Sequence, residues 1–329
     1  MNLLIVSEKP ALSRWIAAHV RATWPNADVT FVHSVPYGNI GFKYPRGSKL
    51  QDYPRVSEPV CKLKPWDSWC GSALVLTRSG ELVPCVMSKE LFFAADQIVF
   101  AGDPGHAGVG AFEVILHDVF GDNRAVACPA LTLNSFDKQS LDRAFAEIRP
   151  FGNVFEQSRQ YGRVKRYFDW NWNVNALAVL GETQRCAGVP PDAPPLSKYA
   201  LQLLYELRHE ASCTENELHG RMSRWVGTGR FHYQKGEGWP TLGSAASRGQ
   251  IIENLLAAGL LVRTDSNGRE LVLVSARGHT LLGMLHPDCK DLDLPFRVAA
   301  WCAEGDAAKP TIDRYIKTFF GKQLRFLAL

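Results

Sequence analysis

The stretch Ala101-Gly102-Asp103-Pro104-Gly105-His106-Ala107-Gly108 joins an apolar run, Gln97-Ile98-Val99-Phe100, to the amphipathic segment from Phe112 to Phe120. That order predicts a strand, a tight loop and a helix. A loop of this kind can hold Mg²⁺ for phosphotransfer when acidic side chains stand two residues apart, because a small hard cation seeks several oxygen ligands at about 2 Å. Here Asp103 is the one carboxylate of the loop. Gly105 and Ala107 offer no side-chain oxygen, so the pattern is that of a metal loop stripped of ligands.

A second candidate stands near the N-terminus. Leu3-Leu4-Ile5-Val6 predicts a buried strand that breaks into Ser7-Glu8-Lys9-Pro10, followed by a helix carrying Leu12, Trp15, Ile16 and Val20. Pro10 suits the first helical turn, where its missing N–H costs nothing. A Glu after one buried strand and an Asp after another can converge where open α/β sheets bind ligands. Glu8 and Asp103 are therefore the candidate metal ligands, and Glu8, Lys9 and Asp103 the candidate catalytic residues.

Together these residues resemble the Toprim region of type IA DNA topoisomerases, most closely the topoisomerase III branch. The family places Glu-Lys-Pro-Ser after its first strand, and this chain has Glu8-Lys9-Pro10-Ala11. The family's second motif is Asp-Pro-Asp-Arg-Glu-Gly-Glu; here it is Asp103-Pro104-Gly105-His106-Ala107-Gly108-Val109. Glu8, Lys9, Pro10, Asp103, Pro104 and Gly108 match, whereas the second and third acids, the Arg and the last Glu do not. Further along, Ala130 to Phe136 with Ser140 to Pro150 is similar to the strand and helix that close the Toprim region. The helix Gly162 to Leu177, with Asp169-Trp170 and Asn175, is similar to the family's Arg-Arg-x-x-Asp-Trp-x-x-Gly-x-Asn helix. Ala246 to Leu256 and Ser275 to Leu282 resemble the winged-helix-like part of the family core.

The resemblance implies a DNA-relaxing scaffold, and the departures imply that the chemistry is lost. Fewer than eighty residues separate the Asp-Trp helix from the winged segment, too few for the family's DNA-encircling arch and its nucleophilic Tyr. Arg263-Thr264-Asp265-Ser266 mimics the tetrapeptide after that Tyr, but Leu261 stands at the Tyr position. Tyr44-Pro45-Arg46-Gly47-Ser48 has a Tyr in the wrong chain order. A hairpin turn at Asp265-Ser266-Asn267-Gly268 accounts for the Leu261–Ser275 segment better. Transesterification needs an oxygen nucleophile and charge stabilisation at phosphate, and Glu8, Lys9 and Asp103 supply only part of the second, as vestigial catalytic residues.

The chain of 329 residues is long enough for two or three cores, and its 46% hydrophobic content suits a globular protein. No run reaches membrane-spanning length and the N-terminus predicts a strand rather than a signal peptide. Eight cysteines, at 61, 70, 85, 128, 186, 213, 289 and 302, lack C-x-x-C pairing, so reduced thiols in a cytoplasmic protein are expected rather than a zinc site.

The net charge of +4 permits nucleic-acid binding without requiring it. Arg159, Arg163, Lys165 and Arg166 cluster with Tyr161, Tyr167, Trp170 and Trp172. Arg221, Arg224, Trp225, Arg230, His232, Tyr233, Lys235 and Trp239 form a second cluster. Cations among aromatics suit single strands, whose phosphates meet Lys and Arg while bases stack on rings. An equally open reading is a solvated basic face over core aromatics, with Phe168, Trp172 and Leu177 in the core. Arg163, Lys165, Arg166, Arg224, Arg230, Arg248 and Arg263 are the DNA-binding candidates.

The expected fold is α/β: a Toprim-like domain over residues 1–150, a helical connector over 151–187 and a Pro-rich linker over 188–195. A winged-helix-like domain follows over 196–286, then a helical C-terminal tail over 287–329. Pro36 to Leu82 gives little periodic signal. Leu196–Arg208, a helix opened by the capping box Thr214-Glu215-Asn216-Glu217, Ser244–Ala258 and the 264–270 hairpin make the winged module. Its third helix would offer Ser247, Arg248 and Gln250 to a DNA groove, unless the module packs against protein instead.

The expected function is thus a catalytically silent, topoisomerase-like protein that binds single- or double-stranded DNA, alone or within a protein complex, with no cofactor or a weakly held Mg²⁺. Two alternatives stay open. One is a residual Mg²⁺-dependent Toprim nuclease or topoisomerase, with His106 as a replacement ligand or base. The other is a winged-helix regulator or assembly subunit.

Overall fold

Five buried residues in a row, Leu3 to Ser7, make β1 (Asn2–Ser7) the middle of a sheet covered on both faces. The computed structural model describes residues 1–34, 40–66, 73–209, 212–231 and 240–328. Within it the chain forms two units, Met1–Lys43 with Val60–Arg163, and Tyr44–Pro59 with Val164–Leu329.

In the first unit β1 leads into α1 (Pro10–Thr23), which returns to β2 (Asp28–His33). β3 (Ile40–Phe42) pairs antiparallel with β4 (Cys61–Leu63); β5 (Ala73–Leu76), β6 (Leu82–Cys85) and the short α2 (Glu90–Phe93) follow. Next come β7 (Gln97–Ala101), α3 (His106–Phe120), β8 (Pro129–Ala130), α4 (Lys138–Ala146), β9 (Arg149–Pro150) and α5 (Phe151–Val154). The main sheet has the order β6-β5-β2-β1-β7-β8-β9. β2, β1, β7 and β8 run parallel, and β5, β6 and β9 add antiparallel edges. Strands of three or four residues are too short to carry a period, which is why the Pro36–Leu82 segment gave little signal. Its residues 36–39 and 67–72, Cys70 among them, lie outside the described residues.

Successive side chains of a strand point to opposite faces, and two cores follow. Leu3, Ile5, Val29, Phe31 and Val99 pack with Leu12, Ile16 and Val20 of α1 and Leu141 and Ala144 of α4. Leu4, Val6, Val32 and Phe100 pack on the other face with Val109, Phe112, Ile115 and Leu116 of α3. α4 ends at Ala146, because Arg149 and Pro150 leave the helix to pair with β8.

The second unit contains most of α6 (Glu156–Asn175), whose first turns belong to the first unit. A π-helical stretch, Ala176–Leu180, runs on into α7 (Gly181–Cys186). After the Pro-rich stretch come α8 (Lys198–Leu207), α9 (Glu215–Ser223), α10 (Arg248–Ala257) and the antiparallel pair β10 (Leu261–Ser266) and β11 (Arg269–Val274). Cys213 adds a bridge to Val272 of β11. Each local signal has its bond: the Ser197 hydroxyl accepts from Ala200 N–H at the start of α8, and Thr214 and Glu217 form a reciprocal capping box on α9. Asn267 and Gly268 turn the hairpin with φ of 56° and 74°, the positive values that a two-residue turn between twisted strands requires. α11 (Ala276–Gly283), α12 (Leu294–Glu304) and α13 (Lys309–Leu327) complete the unit. Among the described residues no helix is long and apolar enough to cross a membrane, and Cys61, Cys85, Cys128, Cys186, Cys213, Cys289 and Cys302 are free thiols.

Candidate functional site

β1 and β7 are parallel neighbours, with Ser7 opposite Ala101. From β1 the chain goes to α1 on one face of the sheet; from β7 it goes to α3 on the other. Divergent loops at adjacent parallel strands open a crevice at the carboxyl edge, where open α/β sheets take ligands. Glu8 and Lys9 follow β1, and Asp103 follows β7 by two residues, so all three stand at this crevice. Glu8 is half-buried and Lys9 and Asp103 are exposed.

The Asp103 carboxylate turns back on its own loop and accepts the Gly105 N–H at 2.6 Å. A Cβ built at Gly105 would lie 2.8 Å from that same oxygen, and one at Gly108 would lie 2.6 Å from the Asp103 carbonyl. The loop is thus closed around two glycines. Val109, where the resembling motif has its last Glu, is fully buried in the core under the loop. Ser158 of α6 donates to the Pro104 carbonyl at 3.1 Å, and the Tyr161 ring lies 4.7 Å from His106. His106 is therefore packed at the start of α3, half-buried.

A buried hydrogen-bonded chain that sequence reasoning missed sets the other wall. Ser7 Oγ, Ser13 Oγ and His33 Nε2 are linked at 2.9 Å each, and all three residues are fully buried. It ties α1 to the ends of β1 and β2 and so fixes the loop carrying Glu8. Ser7 adjoins the motif, but nothing in the sequence pointed to His33.

Two carboxylates, one already engaged, do not fit a tightly held divalent cation, which wants several oxygen ligands. Among the described residues no three His, Cys, Asp or Glu side chains gather to hold a metal. The crevice favours the opposite charge. α1 and α3 both begin there, neither has a side-chain cap nor an acidic residue in its first turn, and helix N-termini attract anions such as phosphate.

The candidate DNA contacts fare unequally. Lys165 lies 2.5 Å from Asp169, which also meets Lys198 at 2.8 Å. Burial alone would raise the Asp169 pKa, but the two ammonium groups hold it down at about 2. Lys165 is raised, its Asp169 partner outweighing burial. Arg163 is 4.0 Å from Glu156, and Arg166 is half-buried. Arg263 is held by Glu253, by Glu215 at 3.3 Å and by Glu270 at 3.3 Å. Arg248 donates to the Gly243 carbonyl at 3.2 Å. Arg224 and Arg230 are exposed, and Arg224 lines an open groove with Arg221 and Glu217. Ser247 is half-buried, and Gln250, exposed, donates to Asn254 at 2.7 Å.

Among the described residues, most aromatics beside them offer no stacking face, and Tyr161 is half-buried. Tyr167, Phe168, Trp170 and Trp172 are buried, and Trp225 is buried with its indole N–H on the Leu292 carbonyl at 2.6 Å. Leu177, expected in the core, is 43% exposed. It lies within the π-helical stretch, whose wider turn breaks the helical period used to place it. His232, Tyr233, Lys235 and Trp239 lie outside the described residues. Leu261 is buried at the base of the hairpin. Tyr44 belongs to the second unit; its hydroxyl accepts from Asn173 at 3.1 Å, and burial raises its pKa, which disfavours a phenolate nucleophile.

α6 also carries a polar ladder. Asn171 and Asn175 are fully buried. Asn171 accepts from the Ser57 N–H at 2.9 Å and donates to the Ser57 carbonyl at 3.0 Å. Asn175 does the same with Arg55, at 2.8 and 2.7 Å. Two side-chain amides thus replace a neighbouring strand for the strap Tyr44–Pro59. The alternation Asn171-x-Asn173-x-Asn175 was the visible signal.

No family model and no curated protein matches the chain. The structure of full-length topoisomerase I from Thermotoga maritima in a monoclinic crystal form is similar at a TM-score of 0.36 and 12% identity, over 75% of this chain. The chain spans 37% of the length of that one, and so slight a likeness carries no conclusion about fold family or activity.

Proposed function

We propose that this chain is a nucleic-acid-binding protein on a type IA topoisomerase-like plan, with a Toprim-like first part and a winged-helix-like module at α8–α10 and the hairpin. On this reading it does not cleave DNA and acts as an accessory or complex subunit in DNA transactions, in the cytoplasm, without a resident metal. The observation that carries the reading is the crevice between β1 and β7. Glu8, Lys9 and Asp103 stand at its rim, yet the Asp103 carboxylate is closed onto Gly105 N–H and the last motif position is a core valine. Two uncapped helix N-termini and an exposed Lys9 suit a phosphate bound without chemistry.

The experiment is a nicking and relaxation assay on supercoiled plasmid with Mg²⁺ or Mn²⁺, run for the parent protein and for Glu8→Ala. Neither should change the plasmid. Cleavage by the parent that Glu8→Ala abolishes would overturn the silent reading.

A further inference from the structure

The sequence marks Lys309–Leu327 only as part of a helical tail, but in the structure α13 has two opposed faces. Ile312, Ile316, Phe319, Phe320 and Gln323 are buried. Arg314, Lys317, Thr318 and Arg325 are exposed. At about 100° per residue, positions three, four and eleven beyond Arg314 fall on one side of the helix. With Pro310 and Asp313 they line an open groove of about 530 Å³.

What sets these cations apart is availability. Lys309 is paired with Glu58 at 2.8 Å, and Lys322 with Asp288. Among the described residues Arg314, Lys317 and Arg325 have no ion-pair partner. The groove's one acid, Asp313, accepts the Tyr167 hydroxyl at 2.6 Å.

We propose that this groove binds the phosphate backbone of nucleic acid, Arg314, Lys317 and Arg325 each meeting a phosphate; this rests on the nucleic-acid reading above. Eleven residues of helix span about 16 Å, room for a short run of phosphates. α13 exposes no large hydrophobic side chain, which argues against a membrane surface, where an amphipathic helix buries apolar residues. It offers no exposed ring to a base either, so recognition is of backbone charge and not of sequence.

The test is fluorescence anisotropy of labelled oligo-dT and of a duplex across a salt series. The proteins are the parent, the triple variant Arg314→Gln/Lys317→Gln/Arg325→Gln, and the control Arg14→Gln/Arg78→Gln at exposed cations outside the groove. Thermal unfolding confirms that the triple variant keeps its fold, as expected for exposed positions. The triple variant should bind about tenfold or more weakly at low salt. Its slope of log K against log salt should fall by about 2 on the single strand, or about 3 on the duplex, for three lost phosphate contacts; the arm that shows the drop identifies the ligand. A parent that binds while the triple variant keeps its affinity and slope overturns the groove and leaves the nucleic-acid reading standing. A parent that binds neither oligonucleotide, or binds only phosphatidylserine vesicles, overturns both.

Discussion

The crevice between β1 and β7 and the interior of α6 both hold polar residues from motifs that suggest chemistry, yet they use them oppositely. At the crevice Glu8, Lys9 and Asp103 sit at the rim with water at hand and few partners. On α6, Asn171 and Asn175 are fully buried and engaged by the main chain of Ser57 and Arg55, and the half-buried Asp169 stands between two ammonium groups. A polar group left at a rim can act on a ligand. One buried with its partners holds the fold together, because removing it strands the partners out of water.

That difference can be tested from the harshest substitution downward. Val109→Glu, which restores the last acid of the resembling motif, puts an unpaired carboxylate into the core of α3. It should cost upward of about 4 kcal/mol in urea unfolding, and near-parental stability would mean that the loop can still be rebuilt as a metal site. Asp169→Asn leaves Lys165 and Lys198 facing each other and should cost about 3 kcal/mol. The folded pKa of Asp169 lies below the unfolded value of about 3.9. Its contribution is therefore complete above that value and is lost as pH falls toward about 2. Urea midpoints of the parent should drop across that window more steeply than those of the variant.

Asn171→Ala strands the Ser57 N–H and carbonyl and should cost about 2 kcal/mol, with faster hydrogen exchange at Ser57 as the sharper readout. Thr214→Ala removes half of a capping box and should cost about 1 kcal/mol. Glu8→Ala, at the rim, should stay within about 0.5 kcal/mol. A loss as large as that of Asn171→Ala would erase the contrast between the two regions.

Much of this was legible in the residues. The β1 and β7 runs, the loop after each, the capping box at Thr214 and the Asn267-Gly268 turn depend on local rules of period, capping and backbone freedom, and the structure follows them. The candidate cations were another matter. Lys165 and Arg263 have the same formal charge as Arg314 and Lys317, and no spacing rule tells which will meet a carboxylate. Asp169 and Lys165 are a helical turn apart, but Lys198 comes from α8 and the partners of Arg263 from α9, α10 and β11.

The residues by themselves determined that two strands end in short loops carrying Glu8 and Asp103, since strand and helix periods act over a few neighbours. Only the tertiary structure decided that those loops share one crevice and that Val109 lies beneath it. It alone decided that α6 turns its amides inward and that, among the described residues, three cations of α13 have no ion-pair partner. Burial and pairing are set by residues far apart in the chain, and a group's chemistry follows from what surrounds it.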